Sequence, residues 1–218
     1  MTAKRWIAAL GVLGIVIAAA LTSAAVIGRG DARSTDDSPL LVTSTTAKPK
    51  PRTVTTHATT TTVDLSKLPH PAPPPGDPYA PTPIVQIGSI QIAKIGLLHA
   101  IYEGITLTVI DHGPGHWPGS ALPCQAGNTV FPGHRVTHTH PFLDLDRVSP
   151  GDQIVFHMPG KDCVYEVTGT QIVQPSALYV TNPTPIPTVT LIACHPKHSA
   201  AQRIVVTGKL IADIPVKT

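Results

Sequence analysis

A cysteine, a histidine and an arginine in this chain have the chemistry needed to break and remake an acyl bond. Cys194 ends a short apolar, β-branched run, TVTLIACHP at 188–196, and Arg203 follows nine positions later. His134 lies far upstream in GNTVFPGHR, 127–135. A thiolate attacks a carbonyl far better than a thiol does, and a free cysteine is mostly protonated at neutral pH, so a neighbouring His or Arg is needed to favour the anion. In such a set Cys194 would attack a peptide carbonyl and His134 would protonate the departing amine. Arg203 would hold the substrate backbone or the tetrahedral oxyanion. Read singly, each residue is ordinary: a cysteine after an apolar strand is usually a small buried hydrophobe, and an arginine opening a strand is usually a solvated edge charge. The combination carries the inference.

Other constellations are weaker. His195 and His198 flank the cysteine, while His138 and His140 follow His134, and each reads as a loop residue that could tune pH dependence. His134, His138 and His140 also suggest a loose metal cluster, but their spacing does not match a helical H-x-x-x-H site with a third acid. No metal is therefore assigned. Asp144 and Asp146 in PFLDLDRV, 141–148, read as turn and capping acids before the Pro150-Gly151 bend. There is no P-loop and no dinucleotide fingerprint, so no cofactor is implied. A net charge of +3 and 4% aromatic residues give no basis for a nucleic-acid surface.

The elements that must position these residues are short strands. Ile90 and Ile92 alternate with polar neighbours, as do Ile154, Phe156 and Met158 after the Pro150-Gly151-Asp152 turn. Residues 164–167, 189–194 and 204–211 are β-branched runs. Apart from a short turn around 141–148, no helix is expected after residue 84, and the pattern predicts an all-β barrel or sandwich. The strands ending at Cys194 and starting at Arg203 are joined by eight residues, 195–202, which suits an antiparallel pair with both side chains at one rim. His134 must reach that rim through tertiary folding.

Composition divides the 218 residues into three parts. Lys4-Arg5 precede an uncharged run, 6–27, long enough as a helix to cross a bilayer core of about 30 Å. The run exceeds the apolar region of a cleaved signal peptide, so residues 1–27 read as a cytoplasmic tip and an uncleaved transmembrane anchor. Residues 28–83 are rich in Thr and Pro and read as a disordered linker, because they cannot bury enough apolar surface to offset chain entropy. Residues 84–218 form the candidate globular domain, placed outside the cytoplasm by the charge next to the anchor.

These motifs resemble the sortases, membrane-anchored cysteine transpeptidases of Gram-positive cell surfaces. TLIACHP is similar to their TLxTC signature with Ala193 in place of Thr, the GHR at 133–135 resembles their catalytic-histidine motif, and Arg203 falls where their arginine is expected. Phe131-Pro132 stand where a small residue usually precedes the Gly-His. The segment 115–156 most resembles class E, and the likeness runs from about residue 88 to 210. It implies an eight-stranded barrel with His134, Cys194 and Arg203 as the catalytic residues. It also implies cleavage of an LAXTG-type C-terminal sorting signal of secreted proteins between Thr and Gly. The acyl group would then pass to an amine of a peptidoglycan precursor. A hydrolytic cysteine peptidase and a noncatalytic wall- or metal-binding β-domain are the alternatives. With Cys194 assigned as the free thiol, Cys124 and Cys163 are either a disulfide pair or two small buried thiols.

Overall fold

The computed structural model describes residues 63–217, and the anchor and most of the linker expected from composition lie outside them. Eight strands follow in chain order: β1 (Gln86–Ile92), β2 (Leu97–Glu103), β3 (Gly115–His116), β4 (Asn128–Pro132), β5 (Gln153–Met158), β6 (Lys161–Val173), β7 (Thr188–His195) and β8 (Gln202–Pro215). One sheet holds them all in the order β3-β2-β1-β5-β6-β8-β7-β4. Its two outer strands approach each other, with Trp117 N–H donating to Val130 O at 2.8 Å, so the sheet curls into a nearly closed barrel. The expected short turn at 141–148 contains a 3-10 segment, Leu145–Arg147, and α1 (Leu107–Ile110) is a single helical turn. Among the described residues no helix is long and apolar enough to cross a membrane.

Alternation fixes which side chains face inward. In β1 Ile90 and Ile92 are fully buried, and in β5 Ile154 and Phe156 are. In β6 the inward set is Cys163, Tyr165 and Val167. Phe131 from β4 stacks on Phe156 at 5.0 Å, and Phe156 meets Tyr165 edge-on at 5.7 Å, forming an aromatic centre within the aliphatic core. Of the two alternatives for the remaining cysteines the structure has the disulfide: Cys124 and Cys163 are bonded across Cα atoms 5.4 Å apart. The bridge ties the loop before β4 to β6, and Cys124 N–H donates to Tyr165 Oη at 2.9 Å beside it.

The stretch 63–83, assigned by composition to the linker, lies against the barrel. Ala72 N–H donates to Pro118 O at 2.7 Å, Leu107 N–H to Pro78 O at 2.7 Å, and the Trp117 indole to Ala72 O at 2.8 Å. Gly119 explains how close this strap comes. A Cβ at that position, already at φ 78°, would collide with His70 O. Prolines that bias the segment to an extended form also suit it to lie flat on a surface, so low hydrophobicity here does not mean detachment.

Candidate active site

Register brings Cys194 and Arg203 together. β7 and β8 are antiparallel, and Cys194 and Arg203 are direct partners across the ladder. β4 runs parallel to β7 with Pro132 opposite Ile192, so the chain leaving β4 arrives at the same end of the barrel. Gly133 N–H donates to Ile192 O at 2.9 Å and fixes that arrival. A Cβ on Gly133 would meet the Phe142 ring at 2.8 Å, which is why glycine precedes the histidine. His134, Cys194 and Arg203 then line one groove of about 380 Å³. Cys194 is a free, half-buried thiol.

The floor of the groove is apolar. Trp117, Ile192 and Val205 belong to a second hydrophobic cluster beside the main core, packed by Ile105, Val173 and Val180, and all six face the groove. Pro74, Pro75 and Pro78 of the strap supply part of its wall. Arg203 Nη1 donates to Ala200 O and Gln202 O at 2.9 Å, which anchors the guanidinium to the loop between β7 and β8.

Two residues without a role in the sequence reading hold this arrangement. Asp111, at the C-terminal end of α1, places Oδ1 2.7 Å from His134 Nε2, with 16% of the histidine side chain exposed. No spacing in DHGPGH announces this contact, because it joins segments 23 residues apart. Arg135 is 2% exposed, and its guanidinium reaches four groups. Nε donates to Leu143 O at 2.9 Å, Nη1 to Cys194 O at 3.3 Å, Nη2 pairs with Asp146 at 2.7 Å, and Nη1 lies 3.5 Å from His195 Nδ1. Its place beside His134 in the GHR motif was the available signal. Arg135 thereby joins the loop after His134 to the backbone of the cysteine.

The aspartates of that loop differ from the expectation of capping acids. Asp144 stands at the N-cap of the 3-10 turn but makes no capping bond, and its carboxylate takes Lys197 Nζ at 2.7 Å. The hydrogen bond from Lys197 holds the Asp144 carboxyl below the usual carboxylate range. Both acids therefore tie the loop after His134 to Arg135 and to the segment after Cys194. His140 also departs from a metal cluster with His134 and His138: its Nδ1 lies 3.1 Å from His138 O, and Asp111 takes its place beside the other two.

Ser120, His116 and Glu103 have the connectivity of a hydrolytic triad, with Ser120 Oγ 3.0 Å from His116 Nε2 and His116 Nδ1 2.8 Å from Glu103 Oε2. Ser120 is 6% exposed and donates its hydroxyl to Trp117 O at 2.7 Å, so Ser120 and the buried His116 brace the chain at β3.

The Sortase domain family model matches residues 90–211, which contain His134, Cys194 and Arg203. Sortase SrtE1 of Streptomyces coelicolor is 32% identical over 142 residues, covering 58% of this chain and 40% of that protein. The chain spans about two fifths of the length of the curated relatives it matches. Among solved structures, Sortase E1 from Streptomyces coelicolor with a tripeptide in the active site gives a TM-score of 0.57 at 28% identity, covering 60% of this chain and 91% of that one. A Clostridium perfringens Sortase D5 transpeptidase gives 0.55 at 30% identity, covering 58% and 79%. With the matched region spanning the barrel from β1 to β8 and its cysteine, histidine and arginine meeting in one groove, the chain belongs to the sortase family.

Proposed function

We propose that this protein is a cysteine transpeptidase that cuts a sorting signal of the LAXTG type between Thr and Gly and joins the threonine to an amine of a cell-wall precursor. The observation that carries the reading is the register of Cys194 against Arg203, with His134 delivered to the same groove by the parallel β4 strand. Cys194 sulfur adds to the threonine carbonyl, and the resulting oxyanion is held by Arg203. The C–N bond then breaks as His134 gives a proton to the glycine amine, leaving a thioester on Cys194. An incoming amine adds to the thioester, His134 takes its proton, and the thiolate leaves with a new amide formed. Asp111 fixes the His134 ring through Nε2 during both proton transfers.

The apolar floor built by Trp117, Ile192 and Val205 suits the aliphatic residue that opens such a signal, whose burial contributes about 1.5–3 kcal/mol. In this reading the run at 6–27 anchors the protein in the membrane and the domain works on its outer side, beside secreted substrates. Incubating the protein with LAXTG and LPXTG peptides and an amine, followed by mass spectrometry, tests reaction, motif and acceptor together. The expected product is the amide of threonine, formed faster from LAXTG. Threonine acid as the sole product despite excess amine would instead make the protein a hydrolytic peptidase.

A further inference from the structure

We propose that Asp111, His134 and His138 form a binding site for a divalent transition metal, zinc being the ion of choice, and that its occupation withdraws His134 from the reaction. The regulatory half of this inference rests on the proposed role of His134; the metal site itself does not. Both imidazoles converge on one carboxylate oxygen: Asp111 Oδ1 lies 2.7 Å from His134 Nε2 and 3.3 Å from His138 Nδ1. One donor atom from each residue lies within 4.8 Å of the other two. Donors placed tetrahedrally around zinc at its usual bond lengths stand about 3.3 Å apart. The Asp111–His138 separation already has that value, and the Asp111–His134 separation must open by about 0.6 Å for both bonds to reach their usual length.

The two rings stack at 4.7 Å with 28° between their planes, so the histidines approach the carboxylate as a pair. His138 holds a positive φ of 52°, a conformation rare for a side-chain-bearing residue, in the turn that sets its ring beside His134. Half of the His138 side chain is exposed, which gives an ion access from solvent. Two imidazoles and one carboxylate suit zinc, copper or nickel, whereas magnesium and calcium favour all-oxygen sets. Three protein ligands leave a fourth position for water, the pattern of an open zinc site. A metal on Nε2 would displace the proton that His134 shares with Asp111 and fix the ring as a ligand. Bound at this site, zinc would thus slow the transfer of protons to and from amines by a route separate from any zinc held by the Cys194 thiolate.

The full chain in the Cys194→Ala background removes zinc binding by the thiolate and needs no catalysis. Titration with Zn²⁺ should give one site whose affinity falls at least about tenfold in Cys194→Ala/His138→Ala and in Cys194→Ala/Asp111→Asn. With Cys194 intact, zinc should inhibit peptide transfer, and in His138→Ala the rate with zinc divided by the rate without it should return to about one, whatever the zinc-free rate of that variant. Calcium at equal concentration should have no effect. Unchanged affinity on removal of His138, or inhibition that persists in His138→Ala, would overturn the proposal. An absence of peptide turnover in zinc-free protein would instead count against the proposed activity, with the binding titration still deciding the metal site.

Discussion

Replacing Arg135 should damage both the fold and the rate, and the structure sets the size of each effect. The guanidinium is buried while its partner Asp146 is 46% exposed, so the ion pair alone contributes at most about 1 kcal/mol. The larger share comes from two charge-assisted bonds to the backbone oxygens of Leu143 and Cys194, each worth about 1.5–3 kcal/mol, with the longer 3.3 Å bond to Cys194 at the lower end. Arg135→Ala should therefore cost about 3–5 kcal/mol, a substantial part of the about 5–15 kcal/mol expected of a domain. At an m-value of about 2 kcal/mol/M the urea midpoint should fall by about 2 M. Arg135→Lys keeps the charge but not the planar fork, so it should be intermediate in stability. Because Arg135 holds the backbone carbonyl of Cys194, folded Arg135→Lys protein should also lose about 10²-fold in kcat if Cys194 is the nucleophile, the size of effect that misplacement by about 1 Å produces. Urea unfolding and peptide-transfer kinetics, measured at a temperature where the variant is folded, separate the two. A folded variant with the wild-type kcat would refute the positioning argument even if its stability had dropped.

Removing residues 1–62 should leave the domain stable and its peptide kinetics unchanged, since every contact described for the strap remains; extending the deletion to residue 79 takes away the acceptor of the Trp117 indole N–H, at about 1–3 kcal/mol, and three prolines of the groove wall. The longer deletion should raise KM more than it lowers kcat, and identical kinetics for the two truncations would show that the strap does not shape the groove. Thiol titration of the denatured, unreduced domain should find one thiol, that of Cys194; replacing Cys124 and Cys163 with alanine should cost about 4 kcal/mol by loop entropy for a separation of 39 residues, read from thermal unfolding. Burial raises the Tyr165 phenol above its ordinary value of 10.0. Its contribution to stability is thus complete below pH 10 and lost as pH rises through the folded value, so Tyr165→Phe should flatten the alkaline fall in stability. An equally steep fall in Tyr165→Phe would assign that pH dependence to another group.

The strands with alternating or β-branched patterns were legible because each buries one face: Ile90, Ile92, Ile154 and Phe156 all lie in the core. The pairing of Cys194 with Arg203 was legible for a related reason, since a short connection between two such runs leaves an antiparallel register as the simplest solution. β4 was harder to read, because residues 128–131 are all buried and alternation vanishes where a strand is covered on both faces. The strap was misassigned by composition: its backbone, rather than apolar side chains, supplies most of its named attachments. Asp111 was invisible for want of a local pattern, its contact with His134 being made by tertiary folding alone. The metal reading of three nearby histidines relied on sequence neighbours, whereas the structure turns His140 aside and brings in a carboxylate from α1.

In the proposed reaction Cys194 sulfur carries the acyl group. Intact-mass and peptide-mapping spectrometry of the domain, residues 63–218, quenched in acid during turnover of an LAXTG peptide without added amine, measures this directly. The expected result is an adduct equal in mass to the peptide up to threonine less water, located on Cys194, removed by hydroxylamine and absent from Cys194→Ala. Peptide cleavage that continues in Cys194→Ala, with no adduct on the wild-type cysteine, would contradict it.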